Sequence, residues 1–263
     1  QEEAPEAANP VSTEGMEGQV KFNNVHFGYN SDKVIINDFS AVVNPGQRVA
    51  IVGPTGAGKT TIVKLLMRFY DISSGSILID GKYITDFNRN QLRRMFGMVL
   101  QDTWLFNGTI MDNIRYGRLQ ASEEEVVNAA RAAHAHHFIK TLPNGYNMVL
   151  NEEASNVSQG QKQLLTIARA ILADPKILIL GEATSSVDTR TELLIQKAME
   201  NLMHGRTSFI IAHRLSTIRD ADVILVMREG DIIEQGTHEQ LLNKEGFYAD
   251  LYKSQFEGEG DLF

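Results

Sequence analysis

Apolar residues follow different spacings along the chain, and each spacing predicts its own kind of element. Near Gln19, Val20 and Phe22 alternate with polar neighbours, which is typical of a half-buried strand. An apolar stretch at 34–43 ends in a turn, and Asp80-Gly81 predicts a hairpin because this pair accepts positive φ angles. Further short buried strands are predicted at 48–52, 97–100, 177–180, 208–212 and 223–226.

A helical spacing begins after a glycine-rich segment and recurs in the middle of the chain. One apolar face is predicted for the first helix, made of Ile62, Leu65, Leu66 and Phe69. Residues 103–173 form a mostly helical region, in which Ser122 and Glu125 have the spacing of a capping box. Its second long helix ends at 174–175. Strands then alternate with helices, which predicts a parallel sheet with helices on both faces.

Composition excludes several classes of protein. The chain has 263 residues, no cysteine and a net charge of −8, so no disulfide forms and no nucleic acid partner held by bulk positive charge is expected. The longest apolar run, 223–227, is far shorter than the ~20 residues of a membrane helix.

The distribution of charge predicts the domain boundaries. Acidic residues concentrate in 1–18, a predicted linker, and in 257–263, a predicted tail. The domain is expected at 19–256. The first residue is Gln rather than Met, as expected for a piece of a longer protein.

A phosphate-binding loop is the strongest chemical signal. Residues 53–60 match G-x-x-x-x-G-K-[ST] in full, between an apolar run and an amphipathic helix. Glycines let backbone N–H groups curl around an anion, and the helix N-terminus adds positive potential. Lys59 would reach the β- and γ-phosphates, and the Thr60 hydroxyl would ligate Mg²⁺. The residues expected to bind the triphosphate are Gly53, Pro54, Thr55, Gly56, Ala57, Gly58, Lys59, Thr60 and Thr61.

Further motifs choose among kinases, GTPases and ATPases. In chain order they are Val-Leu-Gln-Asp at 99–102, Asn-Val-Ser-Gln-Gly-Gln-Lys-Gln at 156–163, the run 177–188 and Ile-Ala-His-Arg at 211–214. This order resembles the nucleotide-binding domain of an ABC transporter over residues 20–256. The segment 106–114 is similar to the exporter branch, as in an ABC-B-like half-transporter. The resemblance implies an α/β fold: a P-loop NTPase core with a mostly parallel sheet, an N-terminal antiparallel β subdomain and a helical subdomain.

The resemblance also implies roles around one ATP with Mg²⁺. Tyr29 would stack on adenine, and Gln101 would contact both Mg²⁺ and the attacking water. Glu182 would be the general base for that water, a role typically worth ~10²–10⁴ in rate. His213 would contact the γ-phosphate. The catalytic residues implied are therefore Glu182, His213 and Gln101, and the metal would be held by Thr60 and Gln101.

A second set of residues would serve the ATP of another chain. In the family this signature segment binds the γ-phosphate held by the opposite subunit, so two chains face head to tail around two ATP. Here the segment is Ser158, Gln159, Gly160 and Gln161, with Asp188 near the crossing point. The implied partners are a second nucleotide-binding domain, identical or not, and the transmembrane domain of the same transporter. The implied location is the cytoplasmic face of the cell membrane.

Two departures from the family pattern matter. The signature usually reads Leu-Ser-Gly-Gly-Gln, whereas Val157 and Gln159 stand here, so the Gln159 side chain is expected to point away from phosphate. The strand 177–180 is usually followed by Asp and then Glu, but here Gly181 precedes Glu182. Loss of such a supporting group typically costs ~10–100-fold in metal affinity or activity. We therefore expect ATP binding to persist and hydrolysis to be impaired.

Alternatives remain open at this point. One is a soluble ABC ATPase of repair or translation, against which 106–114 argues. Another is a nucleotide-gated binding module with negligible turnover, which Gly181 favours. Residues 104–106, Trp-Leu-Phe, either pack inside the helical lobe or form part of a groove for the membrane domain. The histidines at 134, 136 and 137 are expected on a solvated helix surface rather than at a metal.

Overall fold

The computed structural model describes residues 6–30, 33–100, 103–152, 154–181, 187–211 and 215–256, without the side chains of 215, 216, 255 and 256. In these residues the strands are β1 (Val20–Phe27), β2 (Ile36–Val43), β3 (Arg48–Val52), β4 (Ser74–Ile79), β5 (Lys82–Tyr83), β6 (Phe96–Val99), β7 (Gly108–Thr109), β8 (Val149–Leu150), β9 (Ile177–Gly181), β10 (Thr207–Ile211), β11 (Val223–Arg228) and β12 (Asp231–Gly236).

The helices of the same residues are α1 (Lys59–Leu66), α2 (Arg89–Arg94), α3 (Ile110–Arg115), α4 (Glu123–Ala132), α5 (His136–Thr141), α6 (Gln159–Ala173), α7 (Thr189–Met203), α8 (Leu215–Arg219), α9 (His238–Asn243) and α10 (Phe247–Phe256). Short 3₁₀ turns follow β5 and precede β8. No helix of the described residues is both long and apolar enough to span a bilayer.

The chain divides into two compact units, residues 1–96 with 207–263 (unit 1) and residues 97–206 (unit 2). In unit 1 the strand order is β5-β4-β1-β2-β12-β11-β3-β10. Strand β3 pairs in parallel with β10 and β11, whereas β1 pairs antiparallel with β2 and β4. The predicted α/β fold, with a largely parallel core and an N-terminal antiparallel part, is therefore confirmed.

Alternation of apolar residues puts one face of the antiparallel part into the core of unit 1. Phe22 and Phe39 meet edge to face with ring centroids 5.0 Å apart, and Phe209 of β10 lies 6.3 Å from Phe22. These three rings are almost fully buried. Edge-to-face contact of this kind stabilises the core by about 0.5–1.5 kcal/mol per pair beyond burial of the area.

The predicted hairpin at 80–81 is present, and its aspartate has a second task. Asp80 and Gly81 have φ angles of 48° and 75° between β4 and β5. The Asp80 carboxylate accepts three consecutive backbone N–H groups, from Glu17 at 2.9 Å, Gly18 at 3.0 Å and Gln19 at 2.8 Å. One side chain thereby joins the hairpin to the segment that enters β1.

Residues 6–18 contact the rest of unit 1 through further polar groups. The N–H of Val11 donates to the Asp86 carbonyl at 2.9 Å, and the Thr207 hydroxyl donates to the Gly18 carbonyl at 2.8 Å. The Glu6 carboxylate accepts from the Asn88 side chain. The role of 1–18 as a linker and the boundaries of the tail and lobe stay predictions.

The first helix ends earlier than predicted, so the placement of Phe69 on its face is wrong. Arg68 takes a left-handed φ of 54°, and the N–H groups of Arg68 and Phe69 return to the carbonyls of Leu65 and Lys64. This is a Schellman C-cap. Phe69 therefore lies outside the helix, 46% exposed.

Unit 2 contains the region predicted to be mostly helical. The capping box at Ser122 and Glu125 is confirmed at the start of α4. A break not predicted separates α4 from α5 at His134, whose φ is 55°. The N–H groups of His134 and Ala135 return to Arg131 and Ala130, which again is a Schellman C-cap. The second long helix, α6, ends at Asp174 as predicted.

Candidate functional site

Residues 53–58 form the turn between β3 and α1 that the loop motif predicts. Gly53, Gly56 and Gly58 have φ angles of 147°, 85° and 102°, which side chains rarely allow. A Cβ on Gly53 would stand 2.1 Å from the Met227 carbonyl oxygen, and one on Gly58 would stand 2.7 Å from Ile36 Cδ1. The backbone is therefore close-packed from behind, and its curvature requires glycine.

Lys59 is the charged group of this loop. Its Nζ donates to the carbonyl oxygens of Gly53 at 2.6 Å and Pro54 at 3.0 Å, and burial lowers its pKa. The Ala57 N–H donates to Pro54, and the Ala57 carbonyl accepts from Gly230 at 3.2 Å. The ammonium thus lies against the curled backbone, where a phosphate would be expected. These residues fit a triphosphate, because N–H groups, a helix N-terminus and a cation converge.

Two threonines begin α1 in different environments. Thr60 is exposed in the first turn, as a ligand of a phosphate-bound Mg²⁺ has to be, whereas Thr61 is buried. The Thr61 hydroxyl lies 3.4 Å from the Tyr29 hydroxyl. Residue 29 and the loop are therefore close in unit 1, although the strands β2 and β3 lie between them in sequence.

Tyr29 belongs to a group of three aromatic rings. Its ring meets Phe27 at 4.9 Å and Tyr70 at 5.1 Å, both edge to face. Tyr29 is 37% exposed and Tyr70 38%. Tyr70 was not predicted, because it follows the unrecognised end of α1 and carries no motif. The contacts with Phe27 and Tyr70 fix the orientation of the Tyr29 ring and leave part of it accessible, which suits stacking on a base.

Ser158 caps α6 in unit 2. Its hydroxyl oxygen accepts from the N–H of Gln161 at 3.3 Å, and the Gln161 side chain accepts from the N–H of Ser158 at 3.0 Å. Ser158 is exposed, whereas Gly160 is buried. A Cβ on Gly160 would stand 2.4 Å from Thr191 Cγ2 and 2.9 Å from Val187 Cγ1. Gly160 is therefore required by the close approach of α7, independently of any anion.

The other predicted residue of this second set, Asp188, caps α7. Its carboxylate accepts from the N–H of Thr191 at 3.0 Å, and the hydrogen bonds from Thr191 lower its pKa. Gln159 Nε2 donates to the Thr103 hydroxyl at 3.3 Å. That contact was not predicted, since residue 103 carries no motif. The roles of all these residues toward ATP stay predictions.

Three predicted catalytic residues, Gln101, Glu182 and His213, lie outside the described residues. Gly181 is described, and it is the last residue of the buried strand β9. The histidines of unit 2 do not share one helix, because His134 lies at the break before α5 and His136 Nδ1 is 2.8 Å from the Tyr146 hydroxyl. In the described parts of the chain, no group of three His, Asp or Glu residues has the arrangement of a metal site.

Trp104, from the segment 104–106, lies beside Arg169, a half-buried arginine of α6. Trp104 is 61% exposed, and Leu105 is buried. The Arg169 guanidinium lies 5.9 Å from the Trp104 ring centroid and 5.4 Å from that of Tyr116. Leu105 therefore packs inside the lobe, while Trp104 presents an open ring at its surface.

The fold and the loop together define a P-loop NTPase. A sequence model of the family described as "ABC transporter" matches residues 36–185. The chain is 56% identical over 253 residues to a "Fatty acid ABC transporter ATP-binding/permease protein" of Mycobacterium bovis, covering 96% of this chain and 40% of that protein. It is 49% identical over 254 residues to an "ATP-dependent lipid A-core flippase" of Desulfotalea psychrophila, covering 97% of this chain and 44% of the flippase.

A solved structure agrees with both comparisons. "Structure of a bacterial Atm1-family ABC exporter with ATP bound" superposes with a TM-score of 0.90 at 45% identity, covering 97% of this chain and 45% of the exporter chain. The chain therefore belongs to the ABC transporter family and is an ATP-binding domain of that family, as the motifs predicted. It spans less than half the length of these relatives.

Proposed function

We propose that the chain binds Mg·ATP at residues 53–61 and is the ATP-hydrolysing motor domain of a membrane exporter. The observation that carries the proposal is the loop itself, where three glycines with positive φ and the ammonium of the buried Lys59 converge at the start of α1. Adenine would stack on Tyr29, whose ring is partly accessible beside Thr61. The triphosphate would replace the carbonyl contacts of Lys59 with stronger charge-assisted bonds.

Catalysis would be carried by residues of this chain that follow three strands. Glu182 would accept a proton from the attacking water, Gln101 would orient that water, and His213 would contact the γ-phosphate. Thr60 and Gln101 would hold Mg²⁺, which supplies charge neutralisation for the leaving phosphate. Correct placement of water and metal matters most, because small displacements cost orders of magnitude in rate.

A second chain would complete the site. Ser158, with Gln159, Gly160, Gln161 and Asp188, would face the γ-phosphate held by a partner domain, identical or not. Support comes from the exposed, capped N-terminus of the 15-residue helix α6, which favours an anion. The dimer would lie at the cytoplasmic face of the cell membrane, and the transmembrane domains of the same transporter would use its closure for export. The named relatives carry permease or flippase in their names, and we extend that activity to this chain.

Gly181 separates this chain from an efficient ATPase. It ends β9 directly before Glu182 and offers no carboxylate to organise the Mg²⁺ shell. We expect hydrolysis at least ~10-fold slower than in a Gly181→Asp variant. The same observation favours a second candidate function, a nucleotide-gated module that dimerises with ATP and turns it over negligibly.

Calorimetry and a rate comparison test the proposal. Titration of Mg·ATP into the chain should release or absorb heat of binding, and Lys59→Met should abolish it. At saturating Mg²⁺, Gly181→Asp should hydrolyse ATP at least ~10-fold faster than the native chain. Equal rates would contradict the role given to Gly181. Fast, ATP-driven dimerisation with no measurable turnover would favour the nucleotide-gated module, and a folded chain without any heat of binding would refute both.

A further inference from the structure

Gln159 contacts the segment that follows Gln101. Its Nε2 donates to the Thr103 hydroxyl oxygen at 3.3 Å. Both residues are half-buried, so the bond is partly shielded from water. Gln159 is the first residue of α6, directly after the capping Ser158. The bond therefore joins the helix turn that carries Ser158 to the second residue after Gln101.

The same helix holds this segment at a second place. Arg169 Nη1 donates to the Trp104 carbonyl at 3.0 Å, and Nε donates to the Asn113 carbonyl at 2.8 Å. These bonds hold the backbone from Trp104 onward against the middle of α6. Thr103 lies just before this held stretch and two residues after Gln101, so the Gln159 bond adds a contact of α6 there.

The residue type at 159 decides whether such a bond exists. Glycine, which the family usually has there, offers no side chain, whereas glutamine offers an amide donor on a long stem. The next residue, Gly160, leaves no room for a Cβ against Thr191 and Val187. The first turn of α6 is thus closely packed on α7. A displacement of Thr103 would therefore be transmitted by the Gln159 bond to a turn that has little room to adjust.

We propose that Gln159 is a positioning residue that couples the segment after Gln101 to the signature turn 158–161 within one chain. The inference rests on the proposed function, in which Gln101 contacts Mg·ATP bound at 53–61. Binding of ATP then restricts the motion of Thr103. Through its hydrogen bond to Thr103, Gln159 likewise restricts the turn 158–161 that presents Ser158. Gln159 touches no phosphate through its side chain.

Hydrogen–deuterium exchange on the dilute, monomeric chain tests the coupling. In the native chain, Mg·ATP should slow amide exchange both at 53–61 and at 158–161. In Thr103→Val, slowing at 53–61 should remain, while exchange at 158–161 should be about 2- to 12-fold faster than in the ATP-bound native chain, as expected for one lost hydrogen bond. Gln159→Met should act likewise, and the double variant should be no worse than either single variant.

Two control variants separate this bond from general damage. Thr103→Ser keeps the hydroxyl and should keep the native protection. Thr166→Val removes a hydroxyl that donates only within α6, to the Lys162 carbonyl at 3.0 Å, and should leave the coupling intact.

The outcomes distinguish failure of the inference from failure of the proposed function. Protection at 158–161 that survives in Thr103→Val and Gln159→Met, or effects that simply add in the double variant, would overturn the inference alone. Protection at 53–61 without any at 158–161 in the native chain would also overturn it while leaving ATP binding intact. No protection at either segment would contradict the proposed function and the inference together.

Discussion

Asn113 and Arg169 are joined by two hydrogen bonds, from Arg169 Nε to the Asn113 carbonyl at 2.8 Å and from Nη2 to the Asn113 side-chain oxygen at 3.1 Å. Asn113 is fully buried, and its amide nitrogen donates to the carbonyls of Phe106 at 3.0 Å and Thr109 at 3.1 Å. Burial lowers the pKa of Arg169. The pair is thus a polar centre of unit 2 in which several groups depend on one another.

Asn113→Ala should destabilise unit 2 strongly. It removes one acceptor, Oδ1, from the half-buried Arg169 guanidinium and the side-chain donors to the Phe106 and Thr109 carbonyls, which should lower the free energy of unfolding by roughly 2–4 kcal/mol. Urea unfolding monitored by Trp104 fluorescence measures this change. Asn128→Ala is the matched control, since that exposed side chain accepts only from Arg131 at 3.1 Å and should matter by less than ~0.5 kcal/mol. Equal losses of unfolding free energy in Asn113→Ala and Asn128→Ala would contradict the larger role given to Asn113.

Gly160→Ala should destabilise unit 2 for a reason unrelated to nucleotide. The new Cβ would stand 2.4 Å from Thr191 Cγ2, so α6 and α7 would have to separate, at a cost of about 1–3 kcal/mol. Thr191→Ser deletes that methyl group and keeps a hydroxyl beside Asp188. The double variant should therefore recover part of the stability in thermal unfolding. A Gly160→Ala protein as stable as the native chain would show that the helices have room.

Motifs with local rules were predictable from sequence, and helix ends capped by unusual residues were not. The hairpin at Asp80-Gly81 and the box at Ser122 depend on a few adjacent residues, so their sequences suffice. The ends of α1 and α4 use Arg68 and His134 in the left-handed conformation where glycine is usual. Arg68 is held there by its side-chain bonds to the carbonyls of Thr85 and Phe87, which are distant in sequence.

The candidate site divides in the same way. Its loop was predictable because glycine spacing and Lys59 express a local geometry, and that geometry is present. Tyr70 beside Tyr29 and Thr103 beside Gln159 were not predictable, since each pair forms only after the chain folds back. Tertiary contacts of this kind leave no periodicity for sequence reasoning to use.

Acid should destabilise unit 1 through His238. Burial, followed by the charge of Arg219, lowers the pKa of His238, whose Nδ1 lies 2.8 Å from the Tyr248 hydroxyl. The folded state thus resists protonation, while the unfolded chain takes up a proton near the ordinary pKa of about 6.5. Stability is therefore complete above about pH 6.5 and declines as the pH falls toward the lowered pKa of the folded state.

The variant His238→Gln isolates this contribution. Denaturant unfolding at several values between about pH 5 and pH 7.5 should show a steeper loss of stability on acidification in the native chain than in the variant, because glutamine does not titrate. Identical slopes for the two proteins would mean that protonation of His238 costs the folded state nothing.

Tyr29 should contribute to ATP affinity through the base alone, because its ring lies at the partly accessible edge of an aromatic group while Lys59 lies within the loop. Tyr29→Ala should weaken ATP binding roughly 5- to 150-fold, the range expected for a lost base–aromatic stack. Inorganic tripolyphosphate has no base, so its affinity should not change in that variant.

Two further variants serve as controls. Tyr29→Phe keeps the ring and should bind ATP nearly as well as the native chain, whereas Lys59→Met should lower the affinity for both ligands. Calorimetry of the native chain and the three variants with each ligand gives these comparisons. Equal weakening of ATP and tripolyphosphate by Tyr29→Ala would place the aromatic group in loop stability rather than in base recognition.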